Sequence, residues 1–429
     1  MPISSKEVTE SDMNRRMTTG KWKTVLLLTC LGAGGFVPAC TRDTAAPGGQ
    51  KKLIVAAEGL PLGDEWRQDF TFADMDSDGE RDLITAPPRK GKEPWPHIFL
   101  RRQNSWEAVA CPGVDRNGFP PQEYSYGGVA VADFSGDGKP DIVMAMHETG
   151  IRMLYNTGNG PCGPWAEQTE LPEAVTHFRS RAIVSVDMNH DGRMDLVFLS
   201  EAPPMNGRET TPGIGILWND VSGWKVQMIT GSEGLFGDDL AIGEVNGDGI
   251  PDIATGSLSD SRPEFLWLSD GHGGWHAASA EGLPSNMIAW NVQLVDFDND
   301  GKDELLLGVG GAPMYKNGGP RVYHWDGMRW HDWSQGLPQI FWVCGVTAVD
   351  FDHDGRKEIV TAGMYTGTVK VYGQQPNGTW EERQEIKEEK LDKVRNYKVR
   401  SFHTNTGKDF IVANYAGESF GTITAWLWQ

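Results

Sequence analysis

The sequence predicts an all-β chain: seven four-stranded antiparallel blades closed radially into a propeller. Three observations predict it. An acid-rich nine-residue segment recurs six times at near-constant spacing, short apolar runs flank every copy, and a tryptophan opens a more polar run 20 to 27 residues before the next copy. A fixed period in this range marks a repeat architecture.

The segment is clearest at 296–304, DFDNDGKDE, where carboxylates occupy positions one, three, five and nine and glycine position six. Glycine takes the positive φ of a tight turn, which points the side chains at positions one, three and five inward. Crowded carboxylates repel unless a cation sits among them, and hard oxygen donors in this order suit Ca²⁺ rather than zinc or copper. The expected metal set runs blade by blade. It is Asp74, Asp76, Asp78 and Asp82; Asp133, Ser135, Asp137 and Asp141; Asp187, Asn189, Asp191 and Asp195; Glu244, Asn246, Asp248 and Asp252; Asp296, Asp298, Asp300 and Glu304; Asp350, Asp352, Asp354 and Glu358. An acidic surface turn that binds nothing would explain one copy, but not six on a period.

The copies start 59, 54, 57, 52 and 54 residues apart. A worn seventh starts at Ser401 (SFHTNTGKD) and has lost the acids at positions one and three. It is expected to fold like the others and to hold metal poorly or not at all. Ser135, and the Glu244 and Asn246 pair, make the second and fourth loops weaker candidates.

Each unit carries four strand-like runs. One precedes the loop (YGGVAVADF, NVQLVDF), one follows it (DIVMA, ELLLG), a third comes next (IRMLYN, RVYHW), and a tryptophan opens the fourth. Those tryptophans are Trp106, Trp165, Trp224, Trp275, Trp330 and Trp380, expected to be structural. Short strands separated by turn signals read as antiparallel sheet. Radial closure hides the sheet edges that an open array would expose. The charged run 386–398 is the one stretch expected to form a turn or two of helix.

The termini supply the closure. The last unit ends on its third strand, ITAWLWQ. Residues 51–61, KKLIVAAEGLP, align with 274–284, GWHAASAEGLP, a fourth strand. The N-terminal strand is therefore expected to complete the C-terminal blade, replacing a loop-closure cost with sheet hydrogen bonds.

The D-x-[DN]-x-D-G-x-x-[DE] loops on this period resemble the FG-GAP/VCBS repeats of integrin-type seven-bladed propellers, over about residues 52–429. The resemblance implies calcium in the loops, about five or six ions. It says little about activity, since similar propellers occur in adhesins, bacterial surface proteins and some polysaccharide lyases. The formal net charge of −20 fits bound divalent cations and excludes a nucleic-acid binder held by phosphate contacts.

The first fifty residues differ. Arg15, Arg16, Lys21 and Lys23 precede VLLLTCLGAGGFVPAC, a basic stretch and a short apolar core ending at Cys40. This reads as an export signal over 1–39, too short for a stable spanning helix. VPAC resembles a bacterial lipobox with Cys40 as the lipidated residue, although Pro38 departs from the usual small residue. Residues 40–50 read as a tether and 51–429 as the propeller. The expected product is exported and lipid-anchored to the cell envelope, at the outer membrane or surface, as a monomer. An uncleaved signal anchor is the alternative. Cys344 reads as a buried apolar filler. Cys111 and Cys162 either pair in an oxidising compartment or remain free thiols.

A ligand is expected on the face opposite the calcium loops, built from long, varied turns and blade-to-blade links. Candidate ligand-binding residues are His147, Glu148, Arg179, Arg181, Trp290, Tyr315, Trp342, Tyr365 and Tyr415. Arginines beside aromatic rings suit a carboxylated sugar or a peptide. Packing is the competing explanation for the aromatics, and blade-tying for the arginines. His190, His353 and His403 lie in the loop segments at positions given no metal role.

The partner class is a polysaccharide or a surface or secreted protein. A binding or adhesion propeller ranks first. A carbohydrate-active enzyme, a polysaccharide lyase or hydrolase at the central mouth, ranks second, with His147 or His177 as base and Arg179 or Arg181 on the substrate carboxylate. A structural or assembly lipoprotein ranks third. The chain has no zinc signature or phosphate loop.

Overall fold

The computed structural model describes residues 52–429 except 67–68, 90–92, 114, 123, 148, 202–212, 259–263, 286, 311–317, 340–342, 364–365, 393 and 418–420. The export signal, Cys40 and the tether lie outside the described residues, as do Glu148, Tyr315, Trp342 and Tyr365.

Seven four-stranded antiparallel sheets follow one another along the chain. Blade 1 runs through Phe70–Ala73, Asp82–Thr85, His97–Arg102 and Ser105–Ala108. Each acidic loop joins the first strand of a blade to the second. The first strands lie side by side around the axis, and that of blade 7 meets that of blade 1, so the ring closes.

Burial explains the strand sequences. Second strands such as Asp141–Met146 and Glu304–Val309 are buried throughout and read as continuous apolar runs. The core lies between neighbouring blades: Ile84, Ile98 and Leu100 of blade 1 pack with Val129, Ile142 and Met144 of blade 2.

The closure is as expected. Leu53, Ile54 and Val55 pair antiparallel with Trp428, Leu427 and Trp426, and Lys52 exchanges both backbone hydrogen bonds with Gln429. The blade-7 sheet thus joins Leu53–Val55 to Gly421–Trp428, Asp409–Ala416 and Arg395–His403.

Two expectations need correction. The 386–398 run is not helical. It belongs to the strands Trp380–Asp392 and Arg395–His403, because Ile386, Leu391 and Val394 fill the core between blades 6 and 7. The worn loop does not fold like the others. The blade-7 strand continues to His403, which pairs directly with Asp409, and Thr404 and Lys408 close an ordinary turn. Without acids at positions one and three to accept its amides, the turn contracts.

A disulfide joins Cys111 and Cys162, with Cα atoms 5.6 Å apart, and Cys344 is a buried thiol. Among the described residues, no helix is long and apolar enough to cross a membrane.

Candidate metal loops and binding face

The loops are built by their own carboxylates. In blade 1 the Asp78 amide donates to Asp74 Oδ1 (3.2 Å), the Gly79 amide to Asp74 Oδ2 (2.9 Å) and the Glu80 amide to Asp78 Oδ1 (2.8 Å). The same bonds recur at Asp187, Asp296 and Asp350. In the second and fourth loops Gly136 and Gly247 donate as well, to Asp133 and Glu244.

The position-nine carboxylate acts as a strut. It accepts the position-two amide in every good loop: Asp82 from Met75, Asp141 from Phe134, Asp195 from Met188, Asp252 from Val245, Glu304 from Phe297 and Glu358 from Phe351, all at 2.8–3.1 Å. The second oxygen of each Asp accepts an amide of the third strand, as Asp82 does from Arg101. This carboxylate, expected from the sequence to be a metal ligand, thus holds the blade together.

The donor chemistry fits a hard cation. Asp74, Asp76 and Asp78 bring oxygens within 4.8 Å of one another, as do Asp296, Asp298 and Asp300, and Asp350, Asp352 and Glu358. Burial pushes Asp82 and Asp252 up to about 6 and Glu358 up to about 7, and acids in the same loop add to the rise. Arg102 reaches Asp76 (2.9 Å) in blade 1, and Arg383 reaches Asp352 (3.0 Å) and Glu358 (2.6 Å) in blade 6. Among the described residues no Lys or Arg forms an ion pair with the carboxylates of Asp296, Asp298 or Asp300, although Lys357 Nζ donates to the Asp296 carbonyl (2.6 Å), so the three blade-5 carboxylates suit a divalent ion. Calcium would be held there by those carboxylates and by loop carbonyls.

On the opposite face, β-bulges set the inner strands. Register shifts flank Arg181 in blade 3, Trp290 in blade 5, Cys344 in blade 6 and Tyr397 in blade 7, at equivalent places near the mouth. A bulge re-aims a side chain. Arg181 turns toward Glu201 (3.0 Å) and Asp238 (3.3 Å). Arg179 also meets Glu201, at 3.4 Å, and His147 Nδ1 lies 2.7 Å from the same carboxylate.

Three side chains from blades 2 and 3 therefore converge on one fully buried acid. Burial alone would raise the Glu201 carboxyl, but the His147 hydrogen bond and the charges of Arg181 and Arg179 outweigh it and hold the group below its usual range. Tyr126 packs its ring 4.7 Å from that of His147, and Arg89 lies over Tyr126.

The other predicted residues separate. His177 is exposed beside Thr176 and the Glu173 carbonyl, away from Glu201. Trp290 is half-buried at its bulge. Tyr415 is corrected from ligand residue to core residue. It is fully buried between blades 6 and 7, and burial pushes its phenol well above the ordinary range.

Sequence reasoning missed the axis. Lys398 Nζ lies 2.6 Å from Asp239 and 3.7 Å from Asp69, and Arg400 bonds Asp69 (2.8 Å) and Asp239 (2.9 Å). These groups come from blades 7, 4 and 1 and cross the ring. Asp239 also accepts the Val292 amide and the Asn291 side chain, which leaves the buried network satisfied. The available signals were the charges alternating along YKVRSF and the paired acids at 238–239. On the loop side, a well of about 340 Å³ is lined by Gln293, Asp296, Asp303, Thr347, Lys357 and Arg400, among others.

The FG-GAP-like repeat model matches residues 74–144, 133–198 and 244–307. The chain carries FG-GAP-like repeats. Each matched FG-GAP-like segment begins at an acidic loop and ends in the second strand of the following blade. Many solved chains are similar in fold. Two are crystal structures of BBS1N in complex with ARL6DN. The one soaked with lead is 12% identical over 86% of this chain and 93% of that chain, with a TM-score of 0.47. The one soaked with mercury is 11% identical over 84% and 92%, with a TM-score of 0.48. No curated protein matches the chain. The propeller and its FG-GAP-like repeats point to a ligand-binding or protein-interaction role.

Proposed function

We propose that this chain is an exported, calcium-stabilised propeller that binds a carboxylated glycan or protein partner on the face opposite its metal loops. The convergence of Arg179, Arg181 and His147 on Glu201 carries this reading. Arg179 keeps 21% of its side chain exposed, so an incoming carboxylate can share its guanidinium with Glu201. An array of carboxylated and neutral glycans, probed with the calcium-loaded full chain, tests it. Retention on uronate-bearing glycans that Arg179→Ala abolishes supports the reading, and indifference to carboxylates overturns it.

The His147–Glu201 contact of 2.7 Å favours a second reading, because an oriented imidazole can serve as a base. In a polysaccharide lyase reaction His147 would take the proton beside a uronate carboxylate held by Arg179. Incubation with polyuronates and assay for unsaturated ends decides between binding and turnover.

Anchoring is proposed to occur through a lipid on Cys40, and the Cys111–Cys162 pair supports an oxidising compartment. Metabolic labelling with a fatty acid that Cys40→Ser removes supports the anchor. Absent labelling with residues 1–39 retained favours an uncleaved signal.

A further inference from the structure

In blades 3 and 5 the fourth position of the acidic loop works as an arm. His190 of the blade-3 loop places Nε2 2.8 Å from the Gly249 carbonyl of the blade-4 loop. Asn299 of blade 5 donates to the Gly355 carbonyl of blade 6 at 2.7 Å. Each arm holds the backbone left-handed, with φ near 60° in both cases. In blade 6 the arm is His353, with φ of 58°. The blade beyond it has no acidic loop to receive the arm. It presents the contracted hairpin instead, where His403 and Asp409 face each other across the two strands.

The three side chains meet there. His403 Nδ1 lies 2.9 Å from Asp409 Oδ1, and His353 Nε2 lies 3.7 Å from Asp409 Oδ2. The two imidazoles stand 5.4 Å apart, centre to centre and nearly perpendicular. One donor atom from each residue falls within 4.8 Å of the others. Ligands on a tetrahedral zinc at about 2.0–2.1 Å are separated by roughly 3.3 Å, a value these distances bracket.

We infer that His353, His403 and Asp409 form a site for Zn²⁺ or a similar borderline divalent ion, bridging blade 6 to blade 7. Two imidazole nitrogens and one carboxylate select such an ion over Ca²⁺, which needs an oxygen cage. Ser401 and Asn405 stand where that cage would require acids. Asp409 is 3% exposed, and among the described residues no Lys or Arg pairs with it, so a cation between it and the imidazoles answers a charge left otherwise to two histidines. Both histidines are about half exposed, which gives an ion a path in and leaves a fourth position for water. The bridge would cross the seam beside the blade that the N-terminal strand completes.

The test uses the untagged full chain in excess Ca²⁺, which fills the acidic loops, with Zn²⁺ and Co²⁺ as probes. One tightly bound equivalent of Zn²⁺ is expected, and Co²⁺ in its place should show the intense visible bands of tetrahedral coordination. His353→Ala and His403→Ala should each lose that equivalent while melting as the parent does in Ca²⁺ alone. His331→Ala, which removes an exposed histidine from blade 5, should keep it. Absence of Zn²⁺ binding to the parent overturns the site. So does a bound equivalent that survives both substitutions, or a six-coordinate Co²⁺ spectrum.

Discussion

The Glu58 carbonyl accepts the Trp106 amide at 2.8 Å, joining the end of the N-terminal strand to the outer strand of blade 1. Glu281 makes the same bond to Trp330, and Gln335 to Trp380. The glycine that follows each acceptor is pressed against the tryptophan it serves. A Cβ on Gly59, Gly282 or Gly336 would fall about 2 Å from the carbonyl oxygen of Trp106, Trp330 or Trp380. The E/Q-G-L-P motif is thus a coupling between successive blades, and its copy at 58–61 shows that the N-terminal segment occupies a true fourth-strand register.

That coupling predicts an ordering of variants. Gly59→Ala requires an unfavourable positive φ and a backbone collision, and should cost more than about 1 kcal/mol. Gly63→Ala also needs a positive φ but meets nothing within 4 Å, so its loss should be smaller. Deletion of residues 51–61 should lower the melting temperature far more than deletion of 41–50. Equal melting curves for the two truncations would refute closure by this strand.

Calcium should dominate stability and its pH dependence. Metal analysis of the purified protein should find about five or six ions, and chelation should lower the melting temperature. Burial holds Asp82 and Asp252 at about 6 and Glu358 at about 7, above their values in an unfolded chain. Raised carboxyl groups bind protons more tightly when folded. The metal-free protein should therefore gain stability as pH falls from about 8 toward 5. Calcium should flatten that gain. Thermal melts across this range, with and without chelator, check the sign.

The axial network should resist neutral pH and fail in acid. Burial disfavours the Asp239 charge, but Arg400 and Lys398 outweigh burial and hold the carboxyl below its ordinary range. Its contribution is present above about pH 4 and is lost as pH falls through the lowered folded value. Lys398→Met leaves Asp239 and Asp69 short of one cation and should cost about 3–5 kcal/mol, measurable by urea unfolding at neutral pH.

Arg179 and Arg181 should separate by phenotype. Arg181 joins Glu201 of blade 3 to Asp238 at the start of blade 4, so Arg181→Ala should destabilise the fold. Arg179 meets the same acid from a more exposed position, so Arg179→Ala should leave melting nearly unchanged and weaken retention on uronate glycans. Loss of stability in both, with retention intact, would make both arginines structural.

The sequence by itself determined the blade count, the antiparallel order, the closure strand and the six loops, because short apolar strand runs and glycine turns are local and repeat. Phe297 and Glu304 show why: an apolar position two and an acid at position nine recur because every blade needs the same amide-to-carboxylate strut. Tertiary structure alone decided what the non-repeating charges do. Lys398, Arg400, Asp69 and Asp239 meet only after the ring closes, since residues more than 150 apart must cross one axis. The pairing of Cys111 with Cys162, the burial of Tyr415 and the meeting of His353 with His403 follow the same rule. Each depends on how neighbouring blades are set against one another, and the pattern within a single repeat carries no record of that.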